Sequence, residues 1–219
     1  MISRFARAKL SYRGLWALVG LVTVLVSFCL TTLTACLPLV TPDGKGDEEL
    51  LEAIYDEIIP PAGAETSYGI PLDLANLPMF IDWFYEIDLG SEEQKVFHDA
   101  LIELVAPCCD DNTMFRCCCE KGERACNLVQ SGKGLAAHLI RDRGYDIGQV
   151  REAVLKWLKF ARPDYYVARE LEERGIESTR YDLTTLGSCY RQMCVIPISQ
   201  GGCGGMEHLI EPALQGDES

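Results

Sequence analysis

Apolar positions fall into two regimes along this chain. Over residues 15–30 they are nearly continuous, whereas beyond residue 47 they recur three and four apart, as in helices that bury one face. Leu50, Leu51, Ile54 and Ile58 predict a first helix over 47–58, ended by Pro60-Pro61, with a loop over 62–71. Residues 74–89, rich in Phe80, Ile81, Trp83, Phe84 and Tyr85, are expected to be helical after Pro78, with these aromatics in the core. Gly90-Ser91 opens the clearest helix. Ser91 and Gln94 have the spacing of a capping box, and Glu92 and Glu93 complement the positive first turn. Val96, Phe97, Leu101, Leu104 and Val105 form its apolar stripe up to Pro107. Two short helices, 123–130 and 134–143, are expected around Ser131-Gly132-Lys133, with Gly144 as a stop. Residues 147–161 keep the helical period through Val150, Val154, Trp157, Leu158 and Ala161, and Pro163 suits the first position of a helix reaching Gly175. Only 195–198 alternates, 178–206 has no regular pattern, and 211–219 is acidic and expected to fray. The expected fold is mainly α: a small helical bundle with a cysteine-rich loop and an irregular Cys/Gly-rich C-terminal segment.

The continuous run has the company of an export signal. Arg4, Arg7, Lys9 and Arg13 precede it with no acidic residue, and a Thr-rich stretch follows. It closes on Leu33-Thr34-Ala35-Cys36, which resembles the bacterial lipobox. That resemblance implies cleavage before Cys36 and attachment of a diacylglycerol to its thiol, so residues 1–35 are a lipoprotein signal peptide. The alternative is an uncleaved anchor. Both readings keep the basic residues inside and export everything after residue 36. The expected location is the cell membrane or outer membrane, on its extracytoplasmic face, with 36–46 a tether holding Pro38, Pro42, Gly44 and Gly46. Residues 47–210 form the helical cysteine-rich domain and 211–219 a disordered tail.

Charge narrows the partners. Beyond residue 35 there are 16 basic residues against 33 acidic ones, a formal charge of −17. Such a surface repels nucleic acid and anionic lipid, so nucleic-acid binding is discarded. The expected partners are the membrane, through the lipid, and an exported protein of unknown identity.

Cysteine use departs most from the ordinary. Cys108, Cys109, Cys117, Cys118, Cys119 and Cys126 lie within 19 residues, and Cys189, Cys194 and Cys203 follow among glycines. Nine exported cysteines cannot all pair with one another, so at least one stays a thiol, bridges another molecule or binds metal. Adjacent residues reach disulfide geometry only with backbone strain, so Cys117-Cys118-Cys119 must seek different partners or share a metal. Clustered thiolates select soft metals, and the six central cysteines are the candidate ligands for Cu(I) or Zn(II), favoured over an iron–sulfur cluster outside the cytoplasm. His98 and His138 could add nitrogen ligands. For Cys189, Cys194 and Cys203 the favoured reading is one disulfide stapling the loop, or a bridge from this tail back to the central cluster, with a second soft-metal site completed by Met206 and His208 as its competitor.

Hydrolase signatures are missing: there is no Gly-x-Ser-x-Gly, no His-Glu-x-x-His and no glycine-rich phosphate loop. A helix, a Pro-Cys loop, then Ser131-Gly132-Lys133, Ile140 and Arg143-Gly144-Tyr145 resemble the CcmH-type cytochrome c maturation proteins over about residues 95–150. The resemblance implies a membrane-anchored, exported three-helix domain whose loop cysteines reduce apocytochrome thiols. Here adjacent Cys108-Cys109 replace the spaced Cys-x-x-Cys pair. The Pro-Cys run is also similar to exported proteins with a Pro-Cys-Tyr-Cys-Gly-Cys motif. Two functions thus compete with metal binding: thiol–disulfide exchange, with Arg116 or Lys121 lowering a thiol pKa, and a non-catalytic stapled structure.

Overall fold

The computed structural model describes residues 44–116 and 125–206. The chain divides into two units, Met1–Gly46 and Asp47–Ser219. The expected signal peptide, Cys36 and most of the expected tether lie outside the described residues, as do Cys117, Cys118, Cys119, Lys121, His208 and residues 207–219. Among the described residues no helix is long and apolar enough to cross a membrane.

Among the described residues six α-helices make the fold mainly α: α1 (Gly44–Ile58), α2 (Leu77–Glu86), α3 (Ser91–Leu101), α4 (Asn127–Arg143), α5 (Ile147–Ala161) and α6 (Pro163–Glu173). A small antiparallel ladder, β1 (Val105–Ala106) and β2 (Cys109–Thr113), stands between α3 and α4, which the helical reading had not foreseen. It pairs Val105 with Thr113 and Ala106 with Cys109 around Pro107-Cys108. No strand forms over 195–198. There Pro197 caps a single 3₁₀ turn, Ile198–Gln200, because a proline cannot donate to a ladder.

Helix α4 is the axis of the bundle, and α2, α3 and α5 pack on it. Leu77, Phe80, Leu101, Leu128, Leu135, Leu139, Val154 and Trp157 are buried between these helices. The sequence reading split α4 in two at Ser131-Gly132-Lys133, but it runs unbroken. Its small residues mark close packing. The Trp157 indole donates to Ser131 Oγ at 3.0 Å, and Ser131 Oγ donates to its own turn at Leu128 O, 2.8 Å. A Cβ on Gly134 would overlap the Phe80 carbonyl oxygen and stand 2.8 Å from Phe84 N, so only glycine lets α2 approach so closely. A second apolar cluster joins Ile54 of α1 to Val167 and Leu171 of α6.

The helix starts show which capping signals are used. Gly90, not Ser91, is the N-cap of α3; Glu93 Oε2 accepts from Gly90 N at 2.7 Å, and the side-chain half of a capping box is absent for want of a Cβ. The full box belongs to α5. Asp146 Oδ1 accepts from Gln149 N at 2.9 Å, and Gln149 Oε1 accepts from Asp146 N at 3.0 Å. Pro163 begins α6, as its fixed φ favours.

Candidate metal centre

Three segments far apart in sequence meet at the N-terminus of α4. Cys126 is its N-cap residue. The first N–H groups of a helix have no partner within it, and here the C-terminal segment supplies carbonyls. Asn127 N donates to Gly205 O at 2.9 Å and Leu128 N to Cys203 O at 3.1 Å, while the Asn127 side-chain amide donates to Gly204 O at 2.5 Å. The β1–β2 connection joins from the other side, where Cys189 N donates to Cys108 O at 3.0 Å.

The C-terminal segment holds its shape with little regular structure. Gly205 N donates to Cys194 O at 2.9 Å, Gly204 N to Ile196 O at 2.9 Å and Cys203 N to Met193 O at 3.3 Å. At Gly202 a Cβ would overlap the Ile196 carbonyl, so a glycine is needed where the loop folds on itself. Arg162 clamps this segment to the bundle. Its guanidinium is 1% exposed, grips Asp164 through Nε at 3.2 Å and Nη2 at 3.1 Å, and donates through Nη1 to Ser188 Oγ. Ser188 Oγ in turn donates to Gly201 O at 3.1 Å, two residues from Cys203.

This scaffold gathers five thiols. Cys108, Cys126 and Cys203 are fully buried, with sulfurs within 4.8 Å of one another, and Cys189, Cys194 and Cys203 form a second trio under the same limit. Cys203 belongs to both. Its sulfur is 3.8 Å from Cys189 Sγ, and Cys194 Sγ donates to Cys189 Sγ at 2.8 Å. None of the five is in a disulfide. Cys189 and Cys194 are half-buried and give the cluster a side toward solvent. The neighbouring sulfurs shape the protonation. Cys108 would lower the Cys203 thiol through its hydrogen bond, but hydrogen bonds with Cys126 and Cys189, together with burial, outweigh it and push the thiol up. Burial, reinforced by the hydrogen bond to Cys189, pushes Cys194 up to about 12.

The ligand set read from sequence is thereby redrawn. Of its six cysteines the structure brings together Cys108 and Cys126. Cys109 is disulfide-bonded and has no thiolate to offer a metal, and Cys117, Cys118 and Cys119 lie outside the described residues. Cys189, Cys194 and Cys203 are not stapled to one another. They share a cluster with Cys108 and Cys126, although more than 60 residues separate Cys126 from Cys189. Among the described residues, His98 and His138 belong to neither sulfur trio. His98 pairs with Asp99 at 2.8 Å beside Phe115, and His138 stacks on Trp83 with ring centroids 3.8 Å apart while pairing with Asp142 at 2.7 Å. Comparison with protein families, curated proteins and solved structures finds no match to the chain.

Proposed function

We propose that this chain is an exported, membrane-anchored lipoprotein whose buried thiol cluster binds a soft metal, Cu(I) or Zn(II). The observation that carries the reading is the convergence of five cysteine sulfurs from three distant segments, none of them in a disulfide. Structural staples would leave these sulfurs in disulfides. Thiolates around a d10 cation satisfy each sulfur and hold the segments together, so binding energy becomes folding energy. The N-terminus of α4 adds partial positive charge where the thiolates would gather, and the half-buried Cys189 and Cys194 give a path for metal. Cys189 and Cys194, now 2.8 Å apart, would open to the ~3.8 Å edge of a thiolate tetrahedron with bonds of ~2.3 Å.

Thiol–disulfide exchange is the second reading, and the Cys189–Cys194 contact favours it. Against it stands the burial that pushes the Cys194 thiol up, since an exchange thiol attacks as thiolate. The deciding experiment is metal analysis of anaerobically purified protein, followed by Cu(I) and Zn(II) titration with thiol counting. Uptake that protects Cys108, Cys126 and Cys203 from alkylation supports metal binding. No uptake of either ion, with these sulfurs oxidised, overturns it. A fast-reacting Cys189 with a defined reduction potential transfers the case to exchange. The anchor rests on Leu33-Thr34-Ala35-Cys36, and Cys36→Ser should abolish acylation; an unchanged membrane-bound mass would refute it.

A further inference from the structure

The segment on the solvent side of the thiol cluster is folded back on itself. Met193 N donates to Ser188 O at 2.8 Å and Gln192 N to Cys189 O at 3.1 Å, with Gln192 in the left-handed region at φ 61°. This turn returns the chain so that the Cys194 thiol donates to Cys189 Sγ at 2.8 Å. Both backbones are tied to other segments: Cys189 N donates to Cys108 O at 3.0 Å, and Cys194 O accepts from Gly205 N at 2.9 Å. We infer that Cys189 and Cys194 are an oxidisable dithiol whose substrate is a peroxide, with Cys189 the nucleophile and Cys194 the thiol that closes the disulfide. The inference goes beyond the metal-binding reading and does not depend on it, because it concerns the reduced, metal-free pair.

Proximity, access and hydrogen bonding assign the roles. The two sulfurs, 2.8 Å apart, reach bonding distance by a further approach of about 0.8 Å. Both residues are half-buried, whereas Cys203, 3.8 Å from Cys189, is fully buried. A small oxidant from solvent therefore meets the pair first. The hydrogen bond from Cys194 favours negative charge on the Cys189 sulfur, and the thiolate is the form that attacks. Cys194 keeps a proton to give to the leaving group.

The chemistry runs in two steps. The Cys189 thiolate attacks one peroxide oxygen, the O–O bond breaks, and the hydroxide released takes up a proton equal to the one Cys189 gave to solvent, leaving a sulfenic acid and water. The Cys194 sulfur then attacks Cys189 Sγ. An S–S bond forms, the S–OH bond breaks, and the Cys194 proton leaves with the hydroxyl as a second water. Two thiols and one hydrogen peroxide give one disulfide and two waters, so sulfur loses the two electrons that the peroxide oxygens gain. Where the cluster binds metal, this step withdraws two of its five sulfurs.

The sequence makes the bond easy to read. Arg191 lies between the two cysteines, so trypsin yields peptide 181–191, carrying Cys189, and peptide 192–219, carrying Cys194 and Cys203. The full exported chain, reduced and stripped of metal, is treated with one equivalent of hydrogen peroxide, alkylated and digested. The two peptides should be recovered joined, two hydrogens lighter than their sum, with one alkyl group, on Cys203. Fragmentation before Pro197 separates Cys194 from Cys203 and locates the bond without any variant. Cys194→Ser should lose the link and leave a Cys189 sulfenic acid that dimedone traps, whereas Cys203→Ser should keep the link. No joined peptides, or a bond from Cys189 to Cys203, overturns the proposal. If a variant fails to fold by circular dichroism, fragmentation of the parent's joined peptides decides. Metal uptake is read in its own titration, so either reading can fail alone.

Discussion

Replacing Gly134 by alanine sets two physical effects against each other, so the sign of the result is diagnostic. In an exposed helix interior, Gly→Ala stabilises by ~1 kcal/mol, because alanine restricts the unfolded backbone and suits the helix. At position 134 the added methyl would overlap the Phe80 carbonyl oxygen, stand 2.8 Å from Phe84 N and 3.0 Å from the Phe80 carbonyl carbon. All three are backbone atoms of α2, so no side chain can swing away. To restore ordinary contact, α2 and α4 must part by on the order of 1–2 Å, loosening Leu77, Phe80 and Leu135, which are essentially inaccessible to solvent. Because the clash is with backbone that cannot swing away, the cost lies in the upper part of the ~1–3 kcal/mol range for overpacking, ~2–3 kcal/mol, so after subtracting the ~1 kcal/mol propensity gain the net effect is a loss of about 1–2 kcal/mol. Urea unfolding followed by far-ultraviolet circular dichroism reads it as a lower midpoint with an unchanged slope. Gly148→Ala in α5 is the internal control. Its nearest new neighbour is Asp146 Oδ1 at 3.4 Å, so propensity should win and stability rise by ~0.5–1 kcal/mol. A Gly134→Ala variant as stable as the parent, alongside a stabilised Gly148→Ala, would show that α2 and α4 do not approach as described.

Other outcomes follow from single contacts. Ser91→Ala should change stability by less than ~0.5 kcal/mol, because Gly90 is the cap, whereas Asp146→Ala should cost ~1 kcal/mol by removing the true capping box; equal effects in thermal unfolding would contradict this assignment. Trp157→Phe should lose ~1–3 kcal/mol, since the buried bond to Ser131 Oγ disappears with part of the side-chain volume, and an unaltered denaturation midpoint would show the bond to be unused. The Cys194 thiol, raised from 9.0 to about 12, makes the metal-free protein alkali-sensitive. A folded pKa above the unfolded one contributes stability that is full below pH ~9 and lost as pH rises toward ~12. Stability of the reduced, metal-free protein should therefore fall across that window, less so for Cys194→Ser, and a pH-independent difference between the two would refute the shift. Arg162→Met should lower stability by ~1–3 kcal/mol, by removing the guanidinium that joins Asp164 to Ser188, and should speed alkylation of Cys189; unchanged alkylation would show that Arg162 does not hold the cysteine segment.

How much was legible depended on the range of the interactions involved. Helical class, the 147–161 helix and the start of the helix at Pro163 follow from local rules, namely a 3.6-residue period, a proline's fixed φ and a polar cap, so the sequence alone determined them. The crowding of cysteines was legible too, and so was the impossibility of pairing all of them locally. Tertiary structure decided the rest. Ser131-Gly132-Lys133 reads as a break because glycine weakens an isolated helix, yet in the bundle the same residues admit Trp157 and the backbone of α2, and packing outweighs propensity. Ser91 and Gly90 differ by one position in register, which only the approach of the preceding chain settles. The site itself was the least legible. Spacing grouped Cys109 with its neighbours, whereas the fold puts Cys109 in a disulfide and draws Cys203 across to Cys108 and Cys126. That union depends on the first N–H groups of α4, which have no acceptor within their own helix, taking acceptors from Cys203 and Gly205. Every helix carries such donors, but which distant carbonyls satisfy them is a property of how the whole chain packs, and no local pattern encodes it.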